Sequence, residues 1–186
     1  MITVVSGIPD DISERMGQGS VIAYPTEAVF GLGCDPYNET AVMRLLALKQ
    51  RPVSKGLILI AADFATLAPL IQDPNLAKEP DILASWPGPS TWVFPASQLA
   101  PKWITGDFAT IAVRVTAHPL ARALCQHLSI PLVSTSANIA TRPPARDVAT
   151  LQKEFPTGLD LIIEGPLGTL GQPTTIRDAM TKEVIR

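Results

Sequence analysis

Two pairs of polar residues, each with a one-residue gap, are the first candidates for chemistry. Lys49 and Arg51 follow a helical pattern, and Ser136 and Asn138 follow an apolar, strand-like run. Lysine presents a compact positive charge to an anion, and arginine presents a planar fork of hydrogen-bond donors. A phosphoryl group in transfer needs such positive donors more than a covalent catalyst. The residue types favour activation of a phosphate ester, although either pair alone is more often an ordinary helix end or turn.

Three further polar residues are positioned by predicted strands. Thr26 follows a strand at 21–24 that Pro25 ends, because proline has no N–H for a sheet. Ligands of α/β proteins bind at such strand ends. Alternation along a strand at 110–115 places Thr110 and Arg114 on one face. We expect these residues and Ser136 to converge.

The distribution of charge supports an anionic ligand. The net charge is −2, yet residues 40–62 and 108–146 together hold eight basic residues and no acid. If the two segments meet, they form a positive basin that attracts phosphates or a nucleic acid. The alternative is that the charges are scattered over separate solvated faces.

Several classes of protein are disfavoured by what the sequence lacks. It contains no P-loop, dinucleotide-binding, HExxH or GxSxG motif. Its two histidines, His118 and His127, are nine residues apart, which is not a same-face spacing on a helix. Its two cysteines predict neither a disulfide framework nor a zinc site. The N-terminal residues resemble neither a signal peptide nor a membrane span, so we expect a cytoplasmic protein with no membrane contact.

The elements that position these residues alternate between strands and helices. The length of 186 residues favours one domain over residues 1–186. Periodicity predicts a twisted α/β sheet with helices packed on it. The predicted strands are 2–5, 21–24, 57–62, 92–95, 110–115, 131–134, 161–163 and a terminal hairpin of 173–178 with 184–186. The predicted helices are 8–17, 39–49, 64–71, 76–86, 118–128 and 147–155. Gly31 and Gly33 predict a turn.

Taken together, the motifs resemble those of the YrdC/TsaC family, the bacterial threonylcarbamoyl-AMP synthases, over essentially the whole chain. Six blocks occur in the family's order, which is far more specific than any one of them. They are Tyr24-Pro25-Thr26-Glu27 with Gly31-Leu32-Gly33-Cys34, Lys49-x-Arg51-Pro52, Pro87-Gly88-Pro89-x-Thr91, Thr110-x-Ala112-Val113-Arg114, Ser134-Thr135-Ser136-Ala137-Asn138, and Pro173-x-Thr175-Ile176.

The resemblance implies a single-domain YrdC-like fold with a mixed parallel and antiparallel sheet. It also implies a nucleotidyltransferase that makes L-threonylcarbamoyl-adenylate and pyrophosphate from L-threonine, bicarbonate and ATP. The product serves modification of the adenosine beside the anticodon of tRNA by downstream tRNA-modification proteins. Mg²⁺ is expected to bridge the phosphates, with no protein side chain identified as its ligand.

The resemblance also assigns residues. A polar tetrad, both catalytic and nucleotide-binding, consists of Lys49, Arg51, Ser136 and Asn138. Threonine-binding positions are Thr26, Thr110 and Arg114, and further nucleotide-binding positions are Thr174 and Arg186. Where many relatives carry a His in the strand after Lys-x-Arg-Pro, this chain has Ile60.

Two alternatives stay open beside this reading. One is a protein without catalysis that binds tRNA or double-stranded RNA on a basic concave face. It leaves Thr26, Thr110 and Asn138 unexplained and lacks stacking aromatics, since aromatic residues are only 5% of the chain. The other is the carbamoyl-adenylate chemistry of hydrogenase-maturation proteins, which contain a related domain. Those proteins are much longer and carry zinc-finger cysteines.

Overall fold

Nine strands and six α-helices make up the part of the chain that the computed structural model describes, residues 2–171 and 174–186. The strands are β1 (Thr3–Ser6), β2 (Ile22–Pro25), β3 (Phe30–Gly33), β4 (Ile58–Ala61), β5 (Thr91–Pro95), β6 (Thr110–Val115), β7 (Leu132–Ser136), β8 (Leu161–Glu164) and β9 (Ile176–Asp178). The helices are α1 (Ile12–Gly17), α2 (Glu39–Lys49), α3 (Pro80–Ser85), α4 (Lys102–Thr105), α5 (Pro119–Leu128) and α6 (Val148–Glu154). In this part of the chain, no helix is both long and apolar enough to cross a membrane.

The strands form one sheet in the order β1-β8-β2-β3-β7-β4-β6-β5-β9. The pairs β1–β8, β2–β8, β4–β6 and β5–β9 are parallel, and the other four are antiparallel. The predicted mixed α/β sheet is therefore confirmed. The order also brings β7 between β3 and β4, so segments more than 70 residues apart in sequence become neighbours.

The two faces of the sheet are covered differently. One face packs a large core with α2, α3, α4 and α6, because alternate residues such as Leu59 and Val113 point toward it. The other face packs a smaller core against α1 and α5, with Tyr24, Ile60 and Leu132 among its members. Beyond these helices, the second face continues along β4, β6 and β7, and a cleft lies there.

The predicted turn at Gly31 and Gly33 is wrong, since both residues lie in β3, which pairs with β2 antiparallel. The physical reason is close packing. A Cβ added at Gly33 would lie 2.6 Å from the backbone oxygen of Val133 and 2.9 Å from Cε1 of Tyr24. Glycine is needed here for the approach of a ring and a neighbouring strand, which local sequence does not reveal.

The predicted helices at 64–71 and 76–86 are also corrected. The first region contains only a 3₁₀ helix, Ala68–Leu70, and the second divides into a 3₁₀ helix, Pro74–Lys78, and α3. Prolines interrupt the ladder of helical hydrogen bonds, because they lack an N–H and restrict the preceding residue. The predicted helix at 8–17 begins only at Ile12, and α4 was not predicted. The start of the predicted terminal hairpin, at Pro173, lies outside the described residues, whereas the antiparallel pairing of its two arms is confirmed by a bridge between Arg177 and Val184.

Candidate active site

A cleft of ≈ 620 Å³ lies on the second face of the sheet, along β4, β6 and β7. Its walls combine hydroxyl groups, apolar side chains and cations. Among the described residues that line it, five are basic and none is acidic; the five are Lys49, Arg51, Lys55, Arg114 and Arg186. Such a cleft concentrates anions, because low-dielectric walls focus the field of like-signed charges.

The two acid-free segments meet here only in part. Residues 40–62 contribute Lys49, Arg51 and Lys55, whereas residues 108–146 contribute Arg114 alone. Arg44 instead donates to Asp160 Oδ2 at 3.0 Å and to the backbone oxygen of Gly19 at 2.9 Å. The predicted positive basin is therefore confirmed for four of the eight charges, and Arg186 adds a fifth cation from the end of the sequence.

Lys49 ends α2 and turns its ammonium toward β7. Its Nζ donates to the backbone oxygens of Ser136 and Asn138, the latter at 2.9 Å, and to Oδ1 of Asn138 at 3.3 Å. The residue is only 4% exposed. Burial, and then the nearby charge of Arg51, lower the pKa of Lys49 to about 8. An ammonium has three hydrogens, so these three oxygens occupy all of them.

Ser136 ends β7, and Asn138 shapes the turn that follows. Ser136 Oγ donates to Oδ1 of Asn138 at 2.6 Å, and Nδ2 of Asn138 donates to the backbone oxygens of Ile139 at 3.1 Å and Arg142 at 2.7 Å. Both the oxygen and the nitrogen of the Asn138 side-chain amide are thus engaged in hydrogen bonds. The exposed Ser136 hydroxyl keeps free lone pairs toward the cleft. The four residues that the resemblance groups as a tetrad all line the cleft, and Lys49 and Asn138 hold the turn.

Arg51 lies beyond the end of α2, as Pro52 predicted. Its Nη2 donates to the backbone oxygens of Lys55 at 3.2 Å and Gly56 at 3.0 Å, and these contacts fix the guanidinium on the cleft wall. Burial, and then the charge of Arg186, lower the pKa of Arg51. Arg186 is held by two backbone hydrogen bonds with Ile176. Two guanidinium groups from distant parts of the sequence therefore approach one another, which favours an anion between them.

Thr26 and Thr110 both line the cleft. Oγ1 of Thr26 donates to the backbone oxygen of Val29 at 2.7 Å inside the tight turn that joins β2 to β3. Since that hydrogen is committed, the Thr26 hydroxyl faces the cleft as an acceptor. Thr110 is the first residue of β6, half-buried, on the same face as Arg114.

Arg114 is as buried as Lys49, since each residue is 4% exposed. Its Nη2 lies 3.5 Å from Oε2 of Glu27, and its Nη1 donates to Oγ1 of Thr174 at 2.8 Å. The resemblance assigned Thr174 to the nucleotide. In the structure its hydroxyl contacts the guanidinium that the same resemblance assigned to threonine.

Sequence reasoning missed two residues behind this cation. Glu27 received no role, although it directly follows Thr26 in a quoted motif, and Thr116 was not singled out at all. Oγ1 of Thr116 donates to Oε1 of Glu27 at 2.6 Å. Ile60, by contrast, is fully buried in the core beneath α5 and does not line the cleft.

The cleft does not offer a set of protein ligands for a divalent cation. Within residues 2–171 and 174–186, no three His, Cys, Asp or Glu side chains lie close enough together to hold a metal ion. Glu27, the carboxylate nearest to the candidate residues, is engaged by Arg114 and Thr116. Mg²⁺ prefers carboxylates and phosphates, so the protein residues alone do not fit it.

Two curated relatives resemble this chain along nearly its whole length. A protein of Coxiella burnetii (strain RSA 493 / Nine Mile phase I), named threonylcarbamoyl-AMP synthase, is 52% identical over 177 residues, which cover 95% of each chain. A protein of the same name from Xanthomonas oryzae pv. oryzae (strain PXO99A) is 48% identical over 179 residues, which cover 95% of this chain and 96% of the relative.

A solved structure and a family model also match this chain. The structure of P. abyssi Sua5 complexed with L-threonine superposes on 96% of this chain with a TM-score of 0.83 and 34% identity. This chain spans about half of that protein, 54% of its length. The Sua5/YciO/YrdC family model, described as telomere recombination, matches residues 14–186. The chain therefore belongs to the Sua5/YciO/YrdC family, as its ordered motifs predicted.

Proposed function

We propose that this protein is a threonylcarbamoyl-AMP synthase, which converts L-threonine, bicarbonate and ATP into L-threonylcarbamoyl-adenylate and pyrophosphate. The observation that carries the proposal is a cleft whose described lining residues include five cations, several hydroxyl groups and no acid, in a chain 52% identical to a relative of that name. All three substrates bring negative charge, which the cleft is built to receive.

The amino acid binds at the Arg114 end of the cleft. A guanidinium matches a carboxylate with two parallel hydrogen bonds, so Arg114 receives the threonine carboxylate. Thr174 shares this guanidinium. The Thr26 hydroxyl, whose hydrogen is given to Val29, accepts from the amine or hydroxyl of threonine. Thr110 adds a second hydroxyl on the same face.

The nucleotide binds among Arg51, Lys55, Arg186 and the Ser136–Asn138 turn, which also line the cleft. The threonine amine first combines with bicarbonate to give a carbamate and water. A carbamate oxygen then forms a bond to the α-phosphorus of ATP, and the bond from that phosphorus to the bridging oxygen breaks as pyrophosphate leaves. The cations offset the charge that is spread over the phosphoryl oxygens during this displacement.

Lys49 contributes in two ways. Its three hydrogen bonds hold the turn that presents Ser136, and its positive charge remains within the cleft. Mg²⁺ has no fitting set of protein ligands here, so any Mg²⁺ is brought by the triphosphate as part of the substrate.

Mass spectrometry of the product tests the proposal. The protein is incubated with ATP, bicarbonate and each of a panel of amino acids, and the adenylate is sought directly. We expect the threonine adduct alone, together with one pyrophosphate for each adenylate. Adenylates formed equally well from serine, valine and threonine, or none at all, would contradict the proposal.

A tRNA is the second candidate partner, because Lys55 and Arg186 are exposed on the rim of the cleft. Phosphate contacts make RNA binding strongly dependent on salt. Raising the salt concentration should abolish RNA binding while threonine-dependent ATP turnover changes far less. The labile adenylate then passes to tRNA-modification proteins, and the need for ATP and tRNA together is consistent with a cytoplasmic enzyme.

A further inference from the structure

A buried acid lies behind the cleft, although none of the described residues that line the cleft is acidic. The side chains of Glu27 and Arg114 are 9% and 5% exposed, and their nearest charged atoms are 3.5 Å apart. Arg114 lines the cleft, whereas Glu27 does not. A charge this deep requires a partner, so Glu27 allows Arg114 to remain inside the protein when the cleft is empty.

Glu27 is itself fixed from two directions. On the side-chain side, Oγ1 of Thr116 donates to Oε1 at 2.6 Å, and Thr116 is fully buried. On the main-chain side, the backbone oxygen of Glu27 accepts from the N–H of Leu170 at 3.1 Å. Gly168 packs so closely there that an added Cβ would lie 2.5 Å from the same oxygen. The carboxylate therefore has little freedom to move.

An arginine side chain is long and flexible, so binding a carboxylate with both guanidinium arms requires the arms to be oriented beforehand. Arg114 is held by an ion pair on its core side and by hydroxyl groups on its other arm, where Nη1 also donates to Oγ1 of Thr91 at 3.5 Å. Glu27 approaches Nη2 from within the core, and Thr174 accepts from Nη1 at the cleft. The fixed position of Glu27 sets the position of the guanidinium, as supporting residues set the geometry of a binding site.

We propose that Glu27 and Thr116 are positioning residues for threonine, which act through Arg114 without touching the substrate. The proposal rests on the function proposed above. It predicts that loosening either residue weakens threonine binding specifically. If the ion pair were purely structural, these substitutions should instead lower the stability of the protein and affect threonine and ATP alike.

The test uses substitutions that keep the charge of the Glu27–Arg114 pair. T116V removes the hydroxyl that fixes Glu27 in a side chain of the same shape, and T116S restores a hydroxyl. E27D keeps the carboxylate but shortens its reach by one methylene. The matched control is T66V, because Thr66 also donates to a carboxylate, Asp63, at 3.0 Å, outside the cleft lining. Steady-state kinetics of pyrophosphate release are measured with threonine and ATP varied separately.

We expect T116V and E27D to raise the threonine KM by about 10- to 100-fold, the range found when a supporting contact is lost. The ATP KM and kcat should stay within about twofold, T116S should recover most of the loss, and T66V should resemble wild type. An unchanged threonine KM in T116V and E27D, an equal rise in both KM values, or no recovery in T116S would overturn the proposal. If T116V does not fold, E27D decides alone. A wild-type protein that forms no adenylate would instead refute the proposed function.

Discussion

Lys49 donates from one ammonium group to both the backbone oxygen of Asn138, at 2.9 Å, and the side-chain oxygen of the same residue, at 3.3 Å. The end of α2 is thereby joined to the turn after β7, 89 residues further along the chain. The backbone strengthens this junction, since the N–H of Ala140 donates to the oxygen of Lys49 at 2.9 Å. Lys49 thus organises the cleft as well as charging it.

Replacing Lys49 with methionine should reduce threonine-dependent pyrophosphate release by about 100-fold or more, because it removes a charge and releases the turn that carries Ser136. Three oxygens also lose their donor, so we expect the free energy of unfolding to fall by about 2–4 kcal/mol. Activity is measured by pyrophosphate release and stability by urea titration. Unchanged pyrophosphate release in K49M would exclude this role for Lys49.

The pKa of Lys49, lowered to about 8 by burial and then by Arg51, predicts a pH dependence of ATP binding. The cleft loses a positive charge as the pH rises through about 8, so the ATP KM should increase above that value. The profile is recorded between about pH 6.5 and 9.5 for wild type and K49M. A step near pH 8 that persists in K49M would assign the ionisation to another group.

Protein stability should increase with pH, whereas ATP binding should weaken. Between about pH 8 and the ordinary lysine value of 10.5, the unfolded chain binds more protons at Lys49 than the folded chain. The free energy of unfolding therefore rises with pH across that window. Below about pH 8 Lys49 is charged in both the folded and the unfolded chain, so the full cost of burying its charge is present. The difference between wild type and K49M in urea titrations at several pH values isolates this contribution.

Arg51 and Arg44 belong to the same basic segment but differ in where they point, which makes them a matched pair. R51Q removes a guanidinium from the cleft wall and should raise the ATP KM by about 10- to 100-fold. R44Q removes a partly exposed contact with Asp160 and a hydrogen bond to the backbone oxygen of Gly19, both outside the cleft. It should leave both KM values unchanged and cost about 1 kcal/mol of stability. Equal effects of the two substitutions on ATP would refute a specific role for Arg51.

Gly31 sets the space beside Thr26. A Cβ added at Gly31 would lie 3.1 Å from Cγ2 of Thr26 and 3.5 Å from Cζ of Tyr24. G31A should therefore displace the Thr26 side chain and raise the threonine KM by about tenfold, with the ATP KM unaffected. At Gly17 an added Cβ has nothing within 4 Å, so G17A is the control. A threonine KM in G31A equal to that of G17A would show that the added methyl group does not displace Thr26.

Local patterns predicted much of the fold, and they failed where distant groups intervene. α2 and β6 were predicted with their observed bounds, because apolar periodicity and the residues at their ends are local properties. The turn predicted around Gly31 and Gly33 is wrong, because glycine is required there by the close approach of the Tyr24 ring and the backbone of β7. The helix expected at 64–71 is absent because Pro69 and the surrounding packing outweigh an apolar pattern.

By itself the sequence determined the family, the mixed α/β class and the residue types of the cleft, because ordered motifs and local periodicity carry that information. Only the tertiary structure decided which charges meet. It separated Arg44 from Arg51 within one segment and placed Glu27 and Thr116 behind Arg114. These relationships depend on strand order and on which face each side chain takes. Both are consequences of burying the whole chain's apolar surface at once, and no local pattern contains them.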